Sequence, residues 1–357
     1  MNLLVFNLAV DDKHVTLAFG LRWIEALAAR FEHIDVVTMT VGHYQLPDNV
    51  TVWSVGRERG YPEWLRALRF YWLVWRILRR RRVDIVFTHM IPVFAVLFWP
   101  IGLLTGLKNV LWYAHGATPR MLRLAHQVVD RVVSSTPQGF RLPSDKVSFI
   151  GQGVNVADYQ AVSRLTVTGL FHILTVGRLA QSKGLDLLVS ALADWKPNSD
   201  WHLTIVGDGT SDSEHSYAQT LRQKAQDTLE PSRVTFTGRL DPEAIRGLLG
   251  KSDIFVNLSS TGSLDKAMVE AMASGCPVVS SNDAFRAIAM AGGFPECVIE
   301  HSPQSLRAVL DRLSSMSASE RQALGVRQAE IARRDHTLDG LIRRLHDILA
   351  ANARGKE

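Results

Sequence analysis

The stretch TVGRLAQSKGLDLLVSAL, residues 175–192, joins the end of a strand-like run to the start of a helix-like run. The residues that lead into it, FHILTVG, are mostly apolar or β-branched, which is typical of a buried strand. After Gly184, the apolar residues of GLDLLVSALADW recur at helical spacing. A buried strand followed by a short loop and a helix is the repeating unit of a parallel α/β sheet.

The same alternation extends in both directions from this stretch. Strand-like runs lie at 3–10, 33–39, 84–90, 110–115, 131–136, 147–153, 171–177, 201–209, 232–238, 253–259 and 276–282. Helix-like runs lie at 20–31, 63–82, 184–195, 215–229 and 265–274. Since the pattern restarts near residue 170, we predict an α/β fold with two Rossmann-like domains that face a cleft. The segment 156–170 is the predicted linker.

Composition excludes several classes of protein. With 46% hydrophobic and 21% charged residues in a chain of 357, disordered, collagen-like and coiled-coil states are excluded as the main state. Two cysteines, Cys276 and Cys297, exclude a disulfide scaffold and a cysteine-based zinc module, and they favour a reducing compartment. The N-terminal run MNLLVFNLAVDD lacks a basic region and predicts a strand rather than a signal peptide. We therefore expect a cytoplasmic protein.

The net charge of +5 is unevenly distributed along the chain. Residues 1–165 hold 19 Lys and Arg against 12 Asp and Glu, whereas residues 166–357 hold 21 against 23. Seven of the nine tryptophans also lie in the first part. We expect the first part to meet an anionic or interfacial partner.

Two segments of the first part are relevant to membranes. Residues 90–107 carry no charge, but Pro92 and Pro100 interrupt them, and we predict a helix buried against a sheet rather than a membrane span. The segment YPEWLRALRFYWLVWRILRRRR, residues 61–82, predicts an amphipathic helix.

On a helical wheel, four arginines of that segment fall within about one quarter of the circumference: Arg66, Arg69, Arg76 and Arg80. Two interpretations stay open for 61–82: a core helix with a solvated arginine edge, or a helix in contact with a lipid headgroup layer, peripheral on the inner face of the cell membrane. A nucleic-acid partner is not predicted, because the basic residues form one short run without a recognised motif.

The loop after the strand 171–177 carries two cations, Arg178 and Lys183, and Gly184 opens the next helix. Arginine can bind phosphate oxygens with two hydrogen bonds, lysine adds a point charge, and a helix N-terminus attracts anions. These features predict a site for a diphosphate. The alternative is a solvated basic loop.

Two further segments follow strands. The first is SSTGSLDKAMVEAMASGCPVVSS, residues 259–281, whose Gly/Ser/Thr-rich loop can bind phosphate or hydroxyl groups through its backbone. In the helix that follows, Glu270 can accept hydrogen bonds from a pair of ribose hydroxyls. The alternative is a loop that only caps the helix and a glutamate that only lies on its surface. LTIVGDG, residues 203–209, ends in a tight turn without dinucleotide-binding spacing. The acidic residues 212–214 are interpreted as a solvated loop, and no metal site is predicted.

Taken together and in order, these motifs resemble glycosyltransferase family 4, whose fold is GT-B. The matching pieces are VGRLAQSKGLDLLVSAL, LTIVGDG, RVTFTGRL and LDKAMVEAMASGCPVVSS. GQGVNVADY, residues 151–159, matches the stretch before the family's second domain, and RRDHTLDGLIRRL, residues 333–345, resembles its C-terminal helix region. The resemblance is close over 110–357 and loose before it.

The resemblance implies an acceptor-side first domain over 1–160, a nucleotide-sugar-binding domain over 161–335, and a C-terminal helix over 336–357 that packs back on the first domain. It implies a retaining, metal-independent hexosyltransferase with no cofactor besides its nucleotide-diphosphate sugar donor. The donor-binding residues that it implies are Arg178, Lys183, Gly207, Gly209, Gly238, Arg239 and Glu270. The backbone of the Gly/Ser loop, at Gly262 and Ser263, is available for further hydroxyl and phosphate contacts of the donor. His115 matches a histidine of the first domain that reaches the donor sugar or the acceptor.

One departure from the family pattern concerns a glutamate. The family places two glutamates eight residues apart, the first in a loop reading E-G-F-G, but Gly262 stands eight residues before Glu270. The nearby carboxylate is Asp265, followed by Lys266, and we hypothesise that one of them takes over part of the sugar–phosphate contact as a catalytic residue.

The predicted function is therefore transfer of a sugar from a nucleotide-diphosphate sugar to an envelope, lipid-linked or polysaccharide acceptor. Two alternatives stay open. One is a catalytically inactive GT-B protein that binds a nucleotide, which the missing glutamate favours. The other is a nucleotide-sugar epimerase or a sugar phosphorylase of the same fold.

Overall fold

The computed structural model describes residues 1–12, 19–159, 169–197, 199–260 and 262–354. Most of the predicted linker 156–170 lies outside these residues. The chain divides into two compact units. Unit 1 comprises Met1–Gly151 and Leu338–Glu357, and unit 2 comprises Gln152–Thr337.

Unit 1 is built on a seven-stranded parallel sheet in the order β3-β2-β1-β4-β5-β6-β7. Its strands are β1 Asn2–Val10, β2 His33–Val41, β3 Val50–Ser54, β4 Ile85–His89, β5 Asn109–Trp112, β6 Arg131–Ser134 and β7 Val147–Phe149. Its helices are α1 Phe19–Ala28, α2 Glu63–Arg80, α3 Pro92–Thr105, α4 Arg120–Val128 and, from the end of the chain, α12 Leu338–Asn352.

Strand β1 shows why this sheet needs helices on both faces. Leu3 and Val5 enter one apolar cluster with α1 and α12, whereas Leu4 and Phe6 enter another with α2 and α3. Successive side chains of a strand point to opposite faces, so an uninterrupted apolar run is buried on both sides. The C-terminal helix α12 thus belongs to the core of unit 1.

Unit 2 is built on a five-stranded parallel sheet in the order β10-β9-β8-β11-β12. Its strands are β8 Leu170–Val176, β9 Asp200–Val206, β10 Val234–Gly238, β11 Ile254–Asn257 and β12 Val278–Ser280. Its helices are α5 Leu185–Ala193, α6 Asp212–Thr228, α7 Pro242–Lys251, α8 Lys266–Ala273, α9 Asp283–Gly292, α10 Pro303–Ser315 and α11 Ala318–Asp335. The predicted α/β class with two parallel-sheet domains is confirmed.

Three local predictions are corrected by the structure. Strand β3 was not predicted; it is a short edge strand whose residues are all half-buried, so VTVWS lacks the apolar run of a central strand. The strand predicted at 147–153 ends at Phe149. The acidic residues predicted as a solvated loop are the first turn of α6, because the Ser211 hydroxyl caps that helix by accepting from the Glu214 backbone N–H.

The apolar segment 90–107 forms α3, which packs on the unit 1 sheet as predicted. Among the described residues, no helix has both the length and the apolar character that crossing a membrane requires. Trp99, Leu103 and Leu104 of α3 are nonetheless exposed.

Gly207 offers a direct test of how tightly the ends of β8 and β9 approach. Its φ is +131°, and a Cβ there would lie 1.8 Å from the carbonyl oxygen of Gly177. We predict that Gly207→Ala destabilises unit 2 by about 3 kcal/mol or more, because strain and a backbone clash add. Urea denaturation followed by circular dichroism measures the change.

The matched control is Gly247→Ala. Gly247 lies inside α7, and a Cβ there would meet nothing within 4 Å. Alanine should stabilise that helix by about 0.5–1 kcal/mol. Equal effects of the two substitutions would contradict the close approach of the two strand ends.

Candidate functional site

The order of strands in the unit 2 sheet reverses between β8 and β11, whose carboxyl ends lie side by side. Lys183, in the loop after β8, forms an ion pair with Asp265, which follows β11 and precedes α8. The Nδ2 of Asn257, the last residue of β11, donates to Oδ2 of Asp265 at 3.1 Å. Open α/β sheets bind ligands at such a reversal.

The Lys183–Asp265 pair is largely withdrawn from solvent, with 16% and 15% of the two side chains exposed. Burial by itself raises the pKa of Asp265, but the Lys183 ammonium and the Asn257 amide outweigh it and hold that pKa below its ordinary value. The methylene stem of Lys183 runs over Gly177, where a Cβ would lie 3.6 Å from Cε. The carboxylate therefore stays ionised and fixes the ammonium at the strand ends.

Arg178 has a partner that the sequence analysis missed. Its Nη1 lies 2.5 Å from Oε1 of Glu214, whose other oxygen accepts from the backbone N–H and the hydroxyl of Thr210 at 2.8 and 2.5 Å. Burial favours a raised pKa for Glu214, but the Thr210 hydrogen bonds and Arg178 lower it below its ordinary value. Arg178 remains 42% exposed, so one guanidinium edge can still reach a ligand.

The glycines predicted at the site join the ends of three strands. Gly207 N donates to Gly238 O at 2.8 Å, and Gly238 has a φ of +68°. Gly209 lies against the first turn of α6, where a Cβ would be 2.7 Å from backbone atoms. Arg239 Nη2 donates to the carbonyl of Gly209 at 2.7 Å. These contacts bring Gly207, Gly209, Gly238 and Arg239 together beside Arg178 and its partner.

The loop after β11 is held by Asn282, which the sequence analysis also missed. The side chain of Asn282 is almost fully buried, and its Nδ2 donates to the carbonyls of Ser259 and Ser263, both at 3.2 Å. Its Oδ1 caps α9 by accepting from the N–H groups of Ala284 and Phe285. An asparagine directly before a helix is a capping signal, but its second role in holding a distant loop has no local signature.

The remaining predicted residues of unit 2 lie on this loop and on α8. Gly262 has a φ of +77°, and Ser263 follows it. Lys266 begins α8, and Glu270 lies one turn later on the same helix face, half-buried. The loop is tied to the segment carrying Lys183, because Ser260 N donates to Ser182 O at 3.0 Å.

His115 lies in unit 1, after β5, with its side chain exposed. The backbone N–H of Ala117 donates to its Nδ1 at 3.1 Å. A ring nitrogen that accepts this bond carries no proton, so the neutral ring has its hydrogen on Nε2. His115 is thereby oriented as a hydrogen-bond donor.

Together, the carboxyl ends of β8, β9, β10 and β11 present two cations, several backbone N–H groups and a Ser/Gly loop. Both cations form ion pairs with carboxylates whose pKa values are lowered, which favours the ionised state of both carboxylates. Such an arrangement suits an anion with several oxygens. Within the described ranges, no group of three or more His, Cys, Asp or Glu side chains is arranged to hold a metal.

Part of unit 2 is similar in sequence to a known protein family. Residues 171–315 match the family described as glycosyl transferases group 1. A mannosylfructose-phosphate synthase of Agrobacterium fabrum is 32% identical over 121 residues, which cover 32% of this chain and 27% of that protein. A phosphatidyl-myo-inositol mannosyltransferase of Propionibacterium freudenreichii is 30% identical over 188 residues, covering 47% of this chain and 45% of that protein. The matches thus span less than half of these relatives.

Among solved structures, Anabaena Alr3699/HepE in complex with UDP superposes with a TM-score of 0.77 at 16% identity, over 98% of this chain and 100% of that chain. At this identity the likeness shows the fold, which is GT-B. The chain therefore has the GT-B fold, and its residues 171–315 are similar to the glycosyl transferases group 1 family.

Proposed function

We propose that the chain is a retaining glycosyltransferase of family 4 that moves a hexosyl group from a nucleotide-diphosphate sugar to an envelope, lipid-linked or polysaccharide acceptor. The observation that carries this proposal is the placement of Arg178 and Lys183 at the carboxyl end of β8, beside the reversal of strand order. Two similar proteins support it: one is a phosphatidyl-myo-inositol mannosyltransferase, and the HepE structure holds UDP.

In the proposed reaction, the bond between the anomeric carbon and the donor phosphate oxygen breaks. The acceptor hydroxyl oxygen bonds to the same carbon, and its proton passes to the departing phosphate. Negative charge grows on that phosphate in the transition state, and Arg178 and Lys183 stabilise it from fixed positions. Because two cations supply the positive charge, the proposal needs no metal and no further cofactor.

The other predicted residues have roles in binding the donor or positioning the sugar. Glu270 accepts the ribose hydroxyls, and the backbone at Gly238 and Arg239 contacts the nucleobase. His115, with its Nε2–H, acts as a donor to the sugar or the acceptor. Lys266 contacts the sugar–phosphate oxygens from the first turn of α8, where the helix N-terminus also favours negative charge.

Gly262 stands at the position where the family carries its first glutamate. We propose that Asp265 performs part of that glutamate's role, indirectly. Asp265 is a positioning residue in this proposal, because it is paired with Lys183 and hydrogen-bonded to Asn257. It holds the ammonium where the diphosphate binds. A second candidate function, nucleotide binding without turnover, is favoured by the same Gly262.

Substitution of the two cations tests the diphosphate site. We predict that Arg178→Ala and Lys183→Ala each weaken binding of the preferred nucleoside diphosphate about ten- to hundredfold, the loss expected for a charged hydrogen bond. Thermal-shift titration against a panel of nucleotides and nucleotide sugars identifies the ligand and measures both losses.

Arg233→Ala is the matched control for that experiment. Arg233 also belongs to unit 2 and pairs with Glu230, but it lies at the amino ends of the strands. Its removal should leave the Kd unchanged. Binding that survives both Arg178→Ala and Lys183→Ala would contradict the diphosphate assignment, and binding without any sugar transfer would favour the inactive alternative.

The pH dependence of stability tests the ionised state of Asp265. In the folded state the pKa of Asp265 is lowered below its ordinary value of 3.8. The ion pair therefore stabilises the fold fully above the pKa of the unfolded state, and this stabilisation is lost as the pH falls through the folded pKa. We predict that Asp265→Asn destabilises the protein at neutral pH, and that its difference from the wild type shrinks below about pH 4. Urea denaturation over this pH range measures the difference; a gap that stays constant would show that folding leaves the pKa of Asp265 unchanged, which contradicts the ion pair's effect on it.

Two properties of the reaction are tested on the product. With the donor and an acceptor identified, the anomeric configuration by proton NMR should match that of the donor sugar. Turnover should be unchanged by EDTA. An inverted product would overturn the retaining mechanism, and loss of activity reversed by added divalent cation would overturn metal independence. Free sugar epimer with no acceptor product would favour the epimerase.

A further inference from the structure

Helix α2 exposes an aromatic face that the fold of unit 1 does not use. Its buried side, Phe70, Leu73, Val74 and Ile77, packs against the sheet. The opposite side carries large apolar residues in contact with solvent: Trp64 is 66% exposed, Leu68 59%, Trp75 53%, Trp72 46% and Tyr71 37%. We call the surface formed by these four aromatic residues and Leu68 the aromatic face.

The neighbouring helix α3 widens this surface. Helices α2 and α3 bury their inner sides in one apolar cluster around Phe6, so they lie on the same face of the sheet. The outer side of α3 exposes Trp99, Leu103 and Leu104, the last of these by 89%. Exposed apolar surface of this extent on adjacent elements marks an interaction site.

The predicted solvated arginine edge of α2 is corrected in part, because Arg66, Arg69 and Arg76 are half-buried and only Arg80 of the four is exposed. Arg66 and Arg69 are half-buried, with Arg66 Nη1 3.6 Å from the sulfur of Met39 and Arg69 Nη2 3.3 Å from the carbonyl of Ser54. Arg79 and Arg80 are exposed, so solvent contacts both guanidinium groups and large aromatic rings on this helix.

At the C-terminal end of α2, guanidinium groups stand over tryptophan rings. Arg79 lies 4.4 Å from the ring centroid of Trp75, and Arg76 lies 5.1 Å from that of Trp72. The segment 61–82 holds seven arginines and one acidic residue, Glu63. The surface thus combines exposed indole rings with a high density of positive charge.

The positive charge of the arginines restricts which partner can bind the aromatic face. A symmetric dimer would bring the same patch of each copy together and oppose the two sets of arginines, which is unfavourable. An anionic partner is required, and one with both a negative layer and an adjacent apolar layer satisfies the arginines and the indoles at once. The headgroup region of an anionic bilayer has this structure, and Trp, Tyr and Arg are the residues that suit it.

We propose that the aromatic face of α2, extended by the exposed end of α3, binds the surface of an anionic lipid bilayer. The helices lie in the headgroup layer with the indoles inserted and the arginines on the lipid phosphates. As an account of how a lipid-linked acceptor is reached, this inference rests on the proposed function. As a statement about membrane binding, it stands on α2 and α3 alone.

The experiment uses the full chain with vesicles of phosphatidylcholine, with and without phosphatidylglycerol, in low and high salt. We expect cosedimentation and a blue shift of tryptophan fluorescence with the anionic vesicles only, weakened by salt. Arg79→Gln with Arg80→Gln should weaken partitioning about thirtyfold, since each arginine near the surface contributes about fivefold. Trp72→Ala with Trp75→Ala should reduce both binding and the blue shift.

The matched control carries Met290→Ala and Val326→Ala, two exposed apolar residues of unit 2. This variant should bind vesicles as the wild type does. All variants should keep the wild-type thermal midpoint and nucleotide affinity, which separates membrane binding from the diphosphate site. The proposal is overturned if anionic vesicles do not bind the wild type, if the α2 variants bind as well as the control, or if sedimentation velocity shows a wild-type dimer that Trp72→Ala with Trp75→Ala dissociates.

Discussion

The ion pair between Lys183 and Asp265 is the interaction on which the candidate site depends. It lies where the strand order of the unit 2 sheet reverses, and it joins the loop after β8 to the start of α8. A cation at this place would otherwise have many conformations, because a lysine side chain has several rotatable bonds. The carboxylate and the amide of Asn257 restrict it, so the positive charge is in place before any ligand arrives.

Much of the fold could be predicted from the sequence because buried parallel strands produce long apolar runs, and loops between them carry glycine and polar residues. The positions of Arg178 and Lys183 followed from the same rule, since loops after parallel strands share one edge of a sheet. The partner Glu214 could not be found in this way. It is separated from Arg178 by 36 residues, and the Ser211 cap that turns an acidic loop into a helix start is a local signal that was overlooked.

Asn282 and Asn257 illustrate a different limit. Each holds a loop through hydrogen bonds, Asn257 to Asp265 and Asn282 to Ser259 and Ser263, and an asparagine that does so looks like any other polar residue at the end of a strand. Helix α2 illustrates a third limit of prediction from the sequence. Its wheel shows arginines gathered on one arc, but which arc faces solvent depends on where the sheet lies. Arg79 and Arg80 are exposed but Arg66, Arg69 and Arg76 are half-buried, and the exposed indoles depart from the usual burial of large aromatic side chains.

The most direct test of the diphosphate site is a crystal structure of the full chain with the nucleoside diphosphate that it binds. We expect the diphosphate oxygens to lie within hydrogen-bond distance of the Lys183 ammonium and of the exposed edge of the Arg178 guanidinium, at the carboxyl end of β8. Asp265 should remain beside Lys183. A diphosphate bound elsewhere, with Arg178 held only by Glu214 and Lys183 only by Asp265, would contradict it.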